Sequence, residues 1–283
     1  MIIEGWKYYN HAIVPTCAPH EEPNLEPIMN GSVWQLRFEG KTPLMVKYCT
    51  NYDCNSETSY WYIIKEGPFK LEDIGKYKKH VLKALERCEA KRINPAEYSE
   101  EMWKVTNAAF SHYANADNEL THAQFLEKIT VVESSLEYWG AFNKENGQMA
   151  GWMSCDNHGT WTETVSAKYH PELQSWNRPS DVIHYAILNY YLNDLKQKYI
   201  CSGSRNINHK TNVQDYKIDK WKFRRAYCNL HIVYNPKIKW LIKALYPFRC
   251  MFNMLDGITR IHQLNALLCL EQLARSNKTK RNE

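Results

Sequence analysis

Residues 203–234, GSRNINHKTNVQDYKIDKWKFRRAYCNLHIVY, gather the side chains best suited to chemistry. Ser204, Arg205, Asn206, Asn208 and His209 form a polar cluster where a strand gives way to a helix. Arg205 and Asn208 can hold a phosphate or a substrate carboxylate, and a histidine titrates near neutral pH. Ligands of open α/β sheets bind outside the carboxyl ends of strands, so the expected site starts here. The competing reading makes Arg205 and Asn208 ordinary turn residues and leaves His209 hydrogen-bonding the turn. Thr211 followed by Gln214 reads as a capping box. It predicts a helix over 212–221, and the aromatic and β-branched run after it predicts a strand over 226–234.

Other elements must position this cluster. At 283 residues the chain can hold one large domain or two small ones. Its hydrophobic content of 44% suffices for an ordinary core. Residues 1–31 read as an irregular arm punctuated by Pro15, Pro19, Pro23 and Pro27. Strands are expected over 33–38, 44–50 and 59–65, then one helix over 70–93. Two helices follow over 99–113 and 121–132. Asn146-Gly147 then marks a hairpin between 138–143 and 148–155. A further strand over 159–167, a helix over 180–198 and a short strand over 199–202 lead back to the cluster. The expected division is 1–95 as arm and strand-helix subdomain, 96–235 as core, and 236–283 as a helical, basic extension.

Composition excludes several classes. Only 11 glycines, with no phosphate-loop pattern, leave kinases without support, and no serine elbow supports a hydrolase. Nine scattered cysteines do not suggest a disulfide framework. Cys49 and Cys54 form a lone pair without zinc spacing, so no metal is expected. The opening residues are not a basic-then-apolar leader, and no apolar run reaches bilayer length. A cytoplasmic location is therefore expected. The net charge of +5 is uneven: 217–249 holds nine Lys or Arg against Asp219 alone. That run is a solvated basic face or a surface for phosphate, nucleic acid or anionic lipid. Within it, 237–249 reads either as a core helix burying Trp240, Leu241, Leu245 and Tyr246 under snorkelling lysines, or as a peripheral contact at an anionic inner membrane.

The order of elements from 99 to 235 resembles the GNAT acyltransferase fold, in the divergent form shared with FemAB-type aminoacyl transferases. ENGQMAGWMS resembles the family's second hairpin, VSAKYHPEL the end of its fourth strand, and KWKFRRAY the close of its fourth helix. FRRAYCNLHIVY also resembles bacterial proteins that accompany surface-polysaccharide genes. The resemblance implies an α+β fold with a mixed, largely antiparallel sheet flanked by helices. It implies acyl or aminoacyl transfer to an amine, without a covalent enzyme intermediate, on a nucleotide- or lipid-linked sugar. The donor is then acyl-coenzyme A or an aminoacyl-tRNA. The carry-over gives Val165, Ala167, Arg178 and Ser180 to the donor, and Arg205 and Asn208 to the substrate. His209 or Glu163 would act as base and Tyr227 as acid. The family's Gln/Arg-x-x-Gly-x-Gly/Ala loop is absent, since 173–180 reads LQSWNRPS, and Lys222 stands where the family often has glycine. A second class stays open: a non-catalytic module that binds RNA or a biosynthetic partner, whose mark would be salt-sensitive RNA binding without turnover.

Overall fold

The computed structural model describes residues 3–35, 43–112, 120–131, 135–207, 212–254 and 259–279. β1 (Trp6–Tyr9) and β2 (Ala12–Pro15) pair as an antiparallel hairpin. Its turn residues Asn10 and His11 have φ of 44° and 63°, the paired positive values of a turn that follows strand twist. The expected irregular arm is thus partly ordered, because its prolines fall at or after the end of β2 and interrupt no ladder. α1 (Glu26–Met29) follows. The strand expected over 33–38 begins instead as a 3₁₀ turn, Ser32–Gln35, and its remainder lies outside the described residues. Val33 and Trp34 reach the cluster around Trp6 and Ile13 from that turn, without extending.

β3 (Met45–Thr50) and β4 (Tyr60–Glu66) match their expectations. The single helix expected over 70–93 is three elements: a 3₁₀ stretch (Leu71–Tyr77), α2 (Lys78–Arg87) and β5 (Cys88–Ile93). Gly75, at φ 54° and ψ −121°, kinks the 3₁₀ stretch, and Cys88 turns extended at the end of α2. α3 (Ser99–Phe110) and α4 (His122–Thr130) come next, the latter closed by a Thr121–Gln124 capping box. β6 (Leu136–Asn143) and β7 (Met149–Asn157) form the hairpin that Asn-Gly predicts, with Gly147 at φ 71°. Then come β8 (Thr162–Tyr169), α5 (Pro171–Gln174) and α6 (Pro179–Leu188). α6 passes into a π-helical turn, Asn189–Asp194, and so ends before residue 198. β9 (Tyr199–Ser204), α7 (Val213–Trp221) and β10 (Arg224–Tyr234) follow. α8 (Pro236–Leu245), α9 (Arg249–Met254) and α10 (Thr259–Thr279) end the described chain.

The chain forms two compact units that interleave in sequence. One comprises Met1–Tyr62, Ser204–Thr211 and Arg225–Glu283; the other Ile63–Gly203 and Asn212–Arg224. In the second unit the strand order is β9-β8-β7-β6-β5, parallel between β8 and β9 and antiparallel elsewhere. Met102 and Val105 of α3 and Phe125 and Ile129 of α4 pack on Tyr138, Phe142 and Trp152 of the hairpin. Trp152 Nε1 donates to the Met102 carbonyl (3.2 Å) and to Thr106 Oγ1 (3.0 Å), so its one polar atom is satisfied inside that core. In the first unit β1-β2-β3-β10 has β2 and β3 parallel and the other pairs antiparallel. Within each unit the strands pair in a mixed, largely antiparallel pattern and carry flanking helices, as the α+β expectation requires.

α7 ends at Lys222, which is left-handed at φ 57° and ψ 37°. A side chain there costs free energy that glycine avoids. Lys222→Gly is expected to stabilise the protein by about 0.5–1 kcal/mol, read as a shift of the urea midpoint at constant slope. A lowered midpoint would mean that the Lys222 Nζ bond to the Asp219 carbonyl (2.6 Å) outweighs backbone strain.

Candidate functional site

β8 and β9 pair at two positions, Thr162 with Ile200 and Glu163 with Cys201. Both strands run on, β8 to Tyr169 and β9 to Ser204, so these parallel neighbours part beyond Glu163 and Cys201. α7 fills the parting with a lysine. Lys217, Lys220 and Trp221 are its buried residues, at helical spacing i, i+3 and i+4. Lys217 Nζ donates to Thr164 Oγ1 on β8 (3.3 Å) and to Ser202 Oγ on β9. The two hydroxyls also meet each other at 3.2 Å. Lys217 is 6% exposed, and no ion pair with a carboxylate joins it among the described residues. Desolvation lowers its pKa to about 8, partly offset by the neighbouring thiols of Cys155 and Cys201. A desolvated cation bound only by hydroxyls keeps its field for whatever charge develops nearby.

A second cluster lies at the start of α6. Arg178 takes a left-handed conformation (φ 48°) before Pro179, which has no N–H. The Asp181 and Val182 amides both bond the Arg178 carbonyl, at 2.9 and 3.3 Å. Asp181 is 2% exposed and its carboxylate takes the Lys220 ammonium, the Tyr216 hydroxyl (2.9 Å) and the Arg178 guanidinium (3.7 Å). Ser180 Oγ accepts from Gln174 Nε2 at 2.6 Å. These residues line a cavity of about 180 Å³. Below it, His184 Nδ1 donates to the Ser180 carbonyl (2.6 Å) and the ring stacks on Trp221. Burial, reinforced by Lys217 and Lys220, holds the His184 pKa down at about 3, so the imidazole is neutral. A coenzyme A diphosphate needs free amides and no competing anion at this helix start. Pro179, the bonded Asp181 and Val182 amides and the buried carboxylate do not fit one.

The sequence candidates divide between the units. Glu163 is on the last rung of the β8–β9 ladder, directly before Thr164. Val165 is exposed on β8, and Ala167 pairs with Met153. Arg178 and Ser180 meet around Asp181. In the other unit, the Arg205 amide donates to the Trp61 carbonyl (2.8 Å) and its guanidinium to the Ser59 carbonyl (2.6 Å). Arg205 and Arg225 both lie over the Trp61 ring, 4.4 and 4.8 Å from its centroid. Tyr227 meets Trp61 edge-on and donates to Glu57 Oε1 at 3.0 Å. Asn208, His209 and Thr211, the expected capping residue, lie outside the described residues, and α7 has Asn212 at its N-cap without a side-chain cap bond. Sequence reasoning missed Lys217, Asp181 and Lys220. For the lysines a signal was present: their spacing from Trp221 on one short helix.

No family model matches the sequence, and no curated protein matches it. Solved structures do. FemX superposes with a TM-score of 0.54 at 7% identity, over 84% of this chain and 85% of its own. L-PGS from Bacillus licheniformis gives 0.49 at 10% identity, over 81% and 79%. A tandem GNAT protein from the clavulanic acid biosynthesis pathway gives 0.42 at 10% identity, over 79% and 75%. The chain shares the fold of FemX.

Proposed function

We propose that this chain transfers an acyl or aminoacyl group to an amine at the parting of β8 and β9, with Lys217 as the donor that stabilises the carbonyl oxygen. One observation carries the reading: a buried lysine, held by two hydroxyls and by no carboxylate among the described residues, stands where two parallel strands separate. The amine nitrogen attacks the donor carbonyl carbon, and negative charge moves onto its oxygen beside Nζ. The carbon–oxygen or carbon–sulfur bond then breaks. The amine's surplus proton goes through a base to the leaving group. Glu163, one residue from Thr164, is the base this reading assigns; His209, the other sequence candidate, lies outside the described residues. Tyr227, which donates to Glu57 in the other unit, takes no step in this reading.

The Asp181 carboxylate at the start of α6 disfavours a coenzyme A diphosphate, so the donor in this reading is an aminoacyl ester on a phosphate-bearing carrier such as tRNA. Arg205 and Arg225 support that choice: two guanidiniums stack on Trp61, and neither has a carboxylate partner among the described residues. The acceptor class is an amine, and an amino sugar on a nucleotide or lipid carrier belongs to it. The test is a thermal-shift series followed by single-turnover transfer. Charged tRNA is expected to raise the melting midpoint and to lose its aminoacyl group to an amine; acetyl-coenzyme A is expected to do neither. A coenzyme A shift with turnover would overturn the donor assignment. Tight, salt-sensitive tRNA binding with no transfer to any amine would replace the enzyme with the binding module.

A further inference from the structure

Of the four apolar residues that both readings of 237–249 invoke, Trp240 and Leu241 are exposed and Leu245 and Tyr246 half-buried. In α8 the inward residue is Ile242, 2% exposed, with Ile238 and Leu245 half-buried one turn to either side. Trp240 is 79% exposed and Leu241 55%. After the 3₁₀ turn, Phe248, Met251 and Met254 are exposed as well, Met254 by 86%. The inner side is fixed: Asn265 Nδ2 of α10 donates to the Phe252 carbonyl (2.9 Å), and Arg275 stacks on Tyr246 at 3.9 Å. Five large apolar side chains are thus held outward within residues 240–254.

Charge identifies what covers them. Residues 236–254 contain Lys237, Lys239, Lys243 and Arg249 and no acid. Lys237, Trp240 and Lys243 repeat every third residue, so the ring stands on one helical stripe between two ammonium groups. Cations beside an exposed tryptophan, with leucine, phenylalanine and methionine adjacent, are the pattern of a helix lying in a headgroup layer. A second copy would bring the same four cations against these. No helix among the described residues is long and apolar enough to cross a membrane.

We propose that α8 and α9 form a peripheral docking surface for an anionic lipid bilayer, with Trp240, Leu241, Phe248, Met251 and Met254 entering the interface. The inference is independent of the transfer reading, since vesicle binding needs no donor; either can fail while the other holds. The test is co-sedimentation of the full chain with vesicles of equal phosphatidylglycerol and phosphatidylcholine, and with phosphatidylcholine alone. Binding is expected to the first only, and to weaken as salt rises. Trp240→Ser with Leu241→Ser should weaken it at least about tenfold. Lys237→Gln and Lys243→Gln should weaken it about fivefold each. Melting midpoints should hold, because the replaced side chains are exposed. Failure to bind anionic vesicles overturns the proposal, as does equal binding by the serine variant. If Trp240→Ser instead dissolves a dimer in sedimentation velocity, or abolishes RNA binding while vesicles are ignored, the surface belongs to that partner.

Discussion

Lys217→Met is expected to make the protein more stable and to slow transfer steeply. An ordinary lysine keeps its proton to about 10.5, whereas Lys217 keeps it only to about 8. That difference is roughly 3 kcal/mol of unfavourable burial at neutral pH. Methionine fills nearly the same volume without the charge. Thr164 and Ser202 stay satisfied, because their hydroxyls already bond each other at 3.2 Å. A gain of about 1–3 kcal/mol is therefore expected at pH 7. The rate should fall about 10²–10³-fold, the usual cost of losing one donor to a developing oxyanion. The pH dependence is distinctive. Between about 8 and 10.5 the unfolded chain binds the proton and the folded chain does not. Wild-type stability from this residue therefore rises with pH across that window, by up to roughly 3 kcal/mol, and the rise is absent in the methionine variant. Urea unfolding at several pH values and single-turnover rates read both effects. A variant that gains stability and keeps full activity would make Lys217 a plug between two strands.

That residue also marks what a sequence can and cannot carry. Lys217 is one of nine cations in a short run, and composition alone calls such a run a solvated face. Its spacing from Trp221 hints at a shared face, and packing settles it: α7 turns Lys217, Lys220 and Trp221 inward together. Local signals were reliable where the physics is local. Asn146-Gly147 fixed a hairpin because two residues decide a turn, and the strand after α7 was evident from its β-branched and aromatic run. β5 was missed because Glu89, Lys91 and Arg92 hide its alternation, and the helical period of α2 runs straight up to it. β1 and β2 were hidden by nearby prolines that in fact lie at or beyond the end of β2. The sequence leaves Trp240 open between core and interface, because helical spacing gives a face and not its direction. The polar cluster at 204–209 was chosen for its residue types; Arg205 instead stacks on Trp61 in the unit without Lys217.

The second large effect is at Asp181, which nothing in the sequence links to Lys220 on another helix. Asp181 is 2% exposed and Lys220 5%, and the carboxylate also holds the Tyr216 hydroxyl. Asp181→Leu leaves a buried ammonium without its partner, and a loss of about 3–5 kcal/mol is expected. Lys220→Met alone should cost less, since Arg178 (3.7 Å) and Tyr216 still face the carboxylate. Asp181→Leu combined with Lys220→Met removes both charges from a site already walled by Trp221 and His184. The pair should recover most of the single loss, giving a coupling of about 2–3 kcal/mol in a double-mutant cycle. Chemical denaturation of the four proteins measures it, and additive losses would deny that the two charges stabilise each other. The same pair bears on the donor. The double variant clears the anion from the start of α6 but leaves Pro179 and the amides bonded to the Arg178 carbonyl. It is therefore expected to remain unshifted by acetyl-coenzyme A. A shift appearing only in that variant would identify the Asp181 carboxylate, and not the backbone, as what keeps a diphosphate out.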